Sequence, residues 1–178
     1  MKNIVKYIAI IFGIIIADQI TKAILLWLIL GHVPVAGAAW SIVPVPYLMA
    51  HVWDWFNIVF TWNPGASFSM FRTLGEIAPM VIIVLTGFII GFIGVYMCRR
   101  ATGIERLPLA LIIGGALGNL IDRIRFGAVI DFLDFHIGGW HYPSFNVADI
   151  CISIGVLLYI FNLVYMRKKC KCNISGEK

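Results

Sequence analysis

The chain has 178 residues, is 61% hydrophobic and only 13% charged, and carries a formal net charge of +5. A soluble domain of this length would carry about 25% charged residues, so the composition excludes one and points to a single integral membrane domain. The basic residues flank apolar runs and do not share one face, which argues against a nucleic-acid surface.

Lys2 and Lys6 precede the first apolar run, Ile4–Leu30. It resembles a secretory signal, with small residues over Val35–Ala39 for cleavage. The run exceeds the roughly 7–15 residues of such a core, and Asp18 and Lys22 interrupt it. The expectation is a retained transmembrane helix over about 4–30. The first outer segment, 31–78, is rich in Pro, Val, Trp and Phe. Ser41–Val45 and Phe56–Trp62 have strand-like composition, broken by Pro34, Pro44 and Pro46. A small sheet with interfacial pieces is expected, including a short interfacial helix after the turn at Asn63-Pro64-Gly65.

The second span, 79–97, ends at Cys98-Arg99-Arg100. The third, 107–124, has Pro108 placed for a first helical turn. The fourth, 147–166, is stopped by Arg167-Lys168-Lys169 and leaves a tail over 167–178. Each approaches the ~20 residues that cross a bilayer. Gly87-x-x-x-Gly91 and Gly114-x-x-x-Gly118 would permit close helix packing. The second outer segment, 125–146, holds Gly127, Gly138, Gly139 and Pro143 and reads as a loop. The fold class is therefore mainly α, with four transmembrane helices and a small extracytoplasmic sheet.

Orientation follows from the basic residues. Lys2, Lys6, Arg99, Arg100, Arg106, Arg167, Lys168, Lys169 and Lys171 share one side; Arg72, Arg123 and Arg125 lie on the other. Both termini are expected in the cytoplasm. All six tryptophans then fall at or beyond the outer face. Cys98, Cys151, Cys170 and Cys172 read as reduced thiols. His32, His51, His136 and His141, spread over the outer loops, lack ligand spacing, so no metal site or cofactor is assigned.

Ionisable groups crowd into Gly114–Asp149, where Asp122, Asp131, Asp134 and Asp149 alternate with Asn119, Arg123, Arg125 and Asn146. Intramembrane carboxylates are costly and default to function. At about 1.5 Å per residue, Asp18 lies roughly 20 Å along the first helix and Asn119 roughly 18 Å along the third. Asp149 opens the fourth helix, and Asp131 sits in the loop before it. Independent helices thus deliver polar groups to one level, near the outer interface. If Asp131 and Asp149 meet, one pKa rises and the pair shares a proton, giving a base and an acid for water attack on an amide. The competing reading is that each caps a helix or pairs with arginine; Asp149 stands where a cap would. Asn119 and Arg123 share a helical face and would hold the loop or orient the pair. Asp18 and Lys22 are spaced as a helical ion pair, structural or site-supporting. Asp122 and Asp134 are expected in ion pairs or facing water. Asn63 forms a turn or binds a substrate backbone.

These residues resemble the motifs of the lipoprotein signal peptidases (signal peptidase II), bacterial membrane aspartic peptidases. Asp18-Gln-Ile-Thr-Lys22, Asn63-Pro-Gly-Ala-Ser-Phe68, Gly118-Asn-Leu-Ile-Asp-Arg123, Val129-Ile-Asp-Phe132 and Phe145-Asn-Val-Ala-Asp149 occur in the family's order and cover nearly the whole chain. Ser67 stands where alanine is usual. The resemblance implies Asp131 and Asp149 as the catalytic dyad, supported by Asp18, Asn63, Asn119, Arg123 and Asn146. It implies a diacylglyceryl-modified prolipoprotein as substrate, cut before the lipidated cysteine, at the outer face of the bacterial inner membrane. The expected partners are that substrate and membrane lipid, with no nucleic acid and a monomeric enzyme. A small proton-coupled transporter is the alternative, but it would spread its carboxylates across the membrane's depth. A non-catalytic lipoprotein-binding scaffold would tolerate loss of either aspartate.

Overall fold

The computed structural model describes residues 2–30, 47–65 and 77–175. In chain order these form α1 (Lys2–Leu30), β1 (Tyr47–Trp53), β2 (Phe56–Asn63), α2 (Ala78–Arg99), α3 (Gly103–Phe126), β3 (Val129–Ile137), β4 (Trp140–His141) and α4 (Val147–Ser175). The strand expected at Ser41–Val45, the interfacial helix after Asn63 and the Ser67 departure lie outside the described residues.

All four helices are long and apolar enough to cross a membrane, over Ile4–Leu28, Pro79–Arg99, Gly103–Phe126 and Val147–Tyr165. Their outward faces carry bare hydrophobic side chains such as Phe12, Phe88, Phe92 and Leu157. The buried interior holds an apolar cluster that includes Ile11, Met97, Leu109 and Ile113, and beside it the polar Asp18, Lys22, Asn119, Asp122, Asp131 and Asn146. In a hydrocarbon solvent such polar groups gain by facing one another. α3 is the hub, and α1, α2 and α4 each pack on it.

Two readings of the helices are corrected. Of the two glycine motifs, only that of α3 makes close packing. A Cβ on Gly118 would lie 2.6 Å from Asp18 Oδ2, and one on the neighbouring Gly115 would strike the Ala148 carbonyl, whereas Gly87 and Gly91 face open space. Further, α3 begins at Gly103, before Pro108, because Thr102 N donates to the Glu105 carboxylate at 2.7 Å and closes a capping box. Pro108 is thus inside the helix. It has no N–H for the Ile104 carbonyl, and Asn162 Nδ2 of α4 donates to that carbonyl at 2.9 Å instead.

The segment between α3 and α4 is not a plain loop, as its glycines suggested. β3 and β4 occupy it, and the sheet order is β1-β2-β3-β4, with antiparallel pairing throughout. Gly127, left-handed at φ 75°, ends α3 and turns the chain into β3. Phe60, Trp62, Ala128 and Ile130 form a small core against Leu26 and Phe126, seating the sheet on the ends of α1 and α3. Asp131 therefore sits on a strand, facing Thr61 of β2. His51, His136 and His141 likewise lie on strands; His32 is outside the described residues.

Candidate active site

Asn146 is the residue around which the site is built. It stands just before α4, and its Oδ1 accepts the Asp149 N–H at 2.9 Å. Asp149 Oδ2 accepts the Asn146 N–H at 3.3 Å in return. This is a reciprocal helix cap, so the capping reading of Asp149 holds for one of its oxygens. Its other oxygen, Oδ1, takes a 2.8 Å bond from Asn119 Nδ2 of α3. The Asn146 amide nitrogen, fully buried, donates at 2.7 Å to Asp131 Oδ1 and lies 3.0 Å from Asn119 Oδ1 and 3.2 Å from the Ile130 carbonyl. One side chain thus joins both aspartates and sets β3 beside the start of α4.

Asp131 is only 2% exposed. Burial lifts its carboxyl from the usual range to about 7, the Asp149 charge adds to the rise, and hydrogen bonds from Asn63 and Asn146 oppose it. Asn63 Nδ2 donates to Asp131 Oδ2 at 2.9 Å, while Asn63 Oδ1 accepts the Gly65 N–H at 2.9 Å. Asn63 therefore makes its turn and reaches the site with opposite ends of one amide.

Beneath the pair lies a buried ionic layer. Lys22, 2% exposed, sits 2.8 Å from Asp18 Oδ2, 2.7 Å from Asp122 Oδ2 and 3.1 Å from Asn119 Oδ1. Three acceptors match the three donors of an ammonium. Asp18 Oδ1 accepts the Ala148 N–H at 3.0 Å, so α1 caps α4. Gln19 donates to Asp122 at 2.8 Å, and Asp122 accepts the Ile130 N–H at 3.4 Å. The Arg123 guanidinium is half-buried, lies within electrostatic reach of Asp149 and Asp131, and has no partner for its Nε.

The structure thus gathers Asp18, Asn63, Asn119, Arg123, Asp131, Asn146 and Asp149 at one end of the bundle. Asp122 and Asp134 both make pairs and neither faces water: Asp122 meets Lys22, and Asp134 meets His141 at 2.9 Å. Sequence reasoning missed Lys22 as the link between two aspartates and Asn119, and it missed Gln19. The four-residue spacing of Asp18 and Lys22 was a usable signal for the first. Nothing local marked Gln19. No group of three or more metal-binding side chains occurs among the described residues.

A buried carboxyl lifted to about 7 beside a second, half-buried one equips the site for general acid–base chemistry on a polarised bond. The profile of the family described as "Signal peptidase (SPase) II" matches residues 10–165. A lipoprotein signal peptidase of Sulfurihydrogenibium sp. (strain YO3AOP1) is 36% identical over 172 residues, covering 94% of this chain and 96% of that protein. One from Anaplasma phagocytophilum (strain HZ) is 42% identical over 122 residues, covering 68% and 76%. A solved bacterial membrane enzyme, at 27% identity, superposes with a TM-score of 0.69 over 89% of this chain and 92% of that one.

Proposed function

The chain belongs to the signal peptidase II family, the lipoprotein signal peptidases, and we propose that it removes signal peptides from prolipoproteins as an aspartic endopeptidase of Asp131 and Asp149. The observation that carries the dyad is Asn146, bonded at once to both carboxylates. Asp149, accepting from Asn119 at a helix N-terminus, acts as base. Asp131, lifted to about 7, acts as acid. Asp149 takes a proton from water as the oxygen attacks the scissile carbonyl. Asp131 polarises the carbonyl oxygen, and the dyad then returns a proton to the leaving nitrogen. Asn63, Asn119 and Asn146 fix the carboxylates. Arg123, its Nε free of protein partners, offers a donor to the substrate backbone. Asp18 holds the start of α4.

The substrate is a prolipoprotein whose cysteine carries diacylglyceryl. An elongated cavity of about 440 Å³ supports this: it starts at Asp149 and runs along Ile150, Ser153, Ile154 and Leu157 of α4, where an acyl chain or signal segment can lie in the bilayer. The multi-pass chain would sit in the bacterial inner membrane with both termini cytoplasmic and the dyad near the outer face, as the basic residues support. The transporter alternative finds no support: the buried Asp18, Asp122 and Asp131 join one network at one end.

The deciding assay adds purified protein to a diacylglyceryl-modified prolipoprotein and follows release of the signal peptide on a gel. Cleavage before the modified cysteine without added metal or nucleotide is expected. Activity abolished by a chelator and restored by zinc would overturn the mechanism. An impermeant thiol reagent should label Asp54→Cys but not Arg100→Cys in intact cells; the reverse sinks the orientation.

The pH profile tests the acid. Asp131 holds its proton below about 7 and loses it above, so kcat/KM should fall as pH rises through that value. The Asn63 hydrogen bond opposes the rise. Asn63→Ala should therefore move the alkaline limb to higher pH, whatever it does to the maximum rate. A limb that stays in place, or moves down, contradicts Asp131 as the acid.

A further inference from the structure

A second cavity, of about 490 Å³, shares the wall Tyr142–Ser144 with the first but lies over the sheet, bounded by Thr61, Asp134 and His141. Thr61, on its wall, pairs with Asp131 across the β2–β3 ladder, so the cavity begins beside the dyad. It extends along β2 and β3 toward the Asn57–Asp134 pairing, away from the helices.

Its polar groups are built in. The Asp134 side chain is 6% exposed, and both its oxygens lie 2.9 Å from His141 Nδ1. Asn57 Nδ2 donates to Asp134 at 3.2 Å, and Asn57 Oδ1 pairs with His51 Nδ1 at 2.9 Å. At the dyad end Thr61 Oγ1 is buried and has no partner. A buried hydroxyl without a partner costs free energy unless something binds it.

Resting on the peptidase reading, we propose that this cavity receives the first residues of the mature lipoprotein, those following the modified cysteine, and that Asp134 with His141 determines specificity there. The substrate must cross the dyad in one direction. Its signal segment belongs to the bilayer and to the cavity along α4. The chain beyond the scissile bond leaves by the other cavity, over the sheet. Thr61 meets its backbone. The acceptor-only Asp134, on the cavity wall, favours side chains that donate hydrogen bonds and repels carboxylates.

The experiment uses the full chain and three diacylglyceryl-modified substrates with Asn, Lys or Asp directly after the cysteine. The Asp substrate should show kcat/KM lower than the Asn substrate by on the order of five- to tenfold, the effect of a like charge across water-accessible space. The Asp134→Asn variant should shrink that gap to about twofold or less, a change in ratio that a general loss of packing would not produce. Ser144→Lys, on the shared wall, should reverse the preference in favour of Asp, and it decides the matter should Asp134→Asn fail to fold. Equal cleavage of all three substrates by the unmodified chain, or ratios that neither variant moves, overturns the subsite. Cleavage of none of them would instead overturn the peptidase reading.

Discussion

Asp131→Asn and Asp149→Asn should each lose signal-peptide cleavage by at least the 10²–10⁴-fold that general acid–base catalysis typically supplies. Both changes keep volume and remove a carboxylate that the shared proton needs. The double variant should be scarcely worse than either single one, because the pair acts as a unit. Folding is not expected to be the cause. Asp149→Asn keeps one carbonyl oxygen, for either the Asn119 bond or the helix cap, and turns its amide nitrogen to the other donor. Asp131→Asn puts one amide group against the Asn63 or Asn146 donor, a local loss of about 1–3 kcal/mol. Uncleaved substrate should co-purify with either variant, since contacts along α4 are untouched. Single-turnover cleavage by protein with an intact melting transition is the measurement. Near-normal rates in either variant would assign the base to another carboxylate.

Lys22→Met should be the most destabilising single change in the helices. It strips the ammonium from Asp18, Asp122 and Asn119 at once. Two nearly solvent-free carboxylates then face each other without a cation. Breaking a buried pair by removing one partner costs about 3–5 kcal/mol. Adding Asp122→Asn to Lys22→Met should restore part of the stability, because it removes the excess charge. Thermal unfolding in detergent, read as a double-mutant cycle, tests this. A melting point unchanged in Lys22→Met would mean that the ionic layer contributes nothing net.

The four helices could be read from the sequence because apolar runs about the length of a bilayer have few other uses. The level at which Asp18, Asn119 and Asp149 meet could be read as well, from rise per residue alone. β3 could not. Val129-Ile-Asp-Phe-Leu-Asp-Phe-His-Ile137 is buried on both faces at its start, so the alternation that marks a half-buried strand is absent. The glycines at both ends then read as loop. The start of α3 was missed because Pro108 suggested a first turn, while the Thr102–Glu105 box acts earlier. That Gly114 and Gly118 pack and Gly87 and Gly91 do not depends on which helix is the hub, a tertiary fact. The Asp134–His141 contact bridges strands joined by a tight turn, and without the strands its partners cannot be paired.

The bond from the Ala148 N–H to Asp18 ties the first helix of the chain to the start of the last. A protein made from its N-terminus and threaded helix by helix into a bilayer therefore holds a buried acid in α1 that gains this partner only when the final span arrives. The same arrival brings Asp149, the second half of the proposed dyad. On that proposal biogenesis and activation are one event: a nascent chain that still lacks its last span has no complete dyad to turn on the membrane that is receiving it.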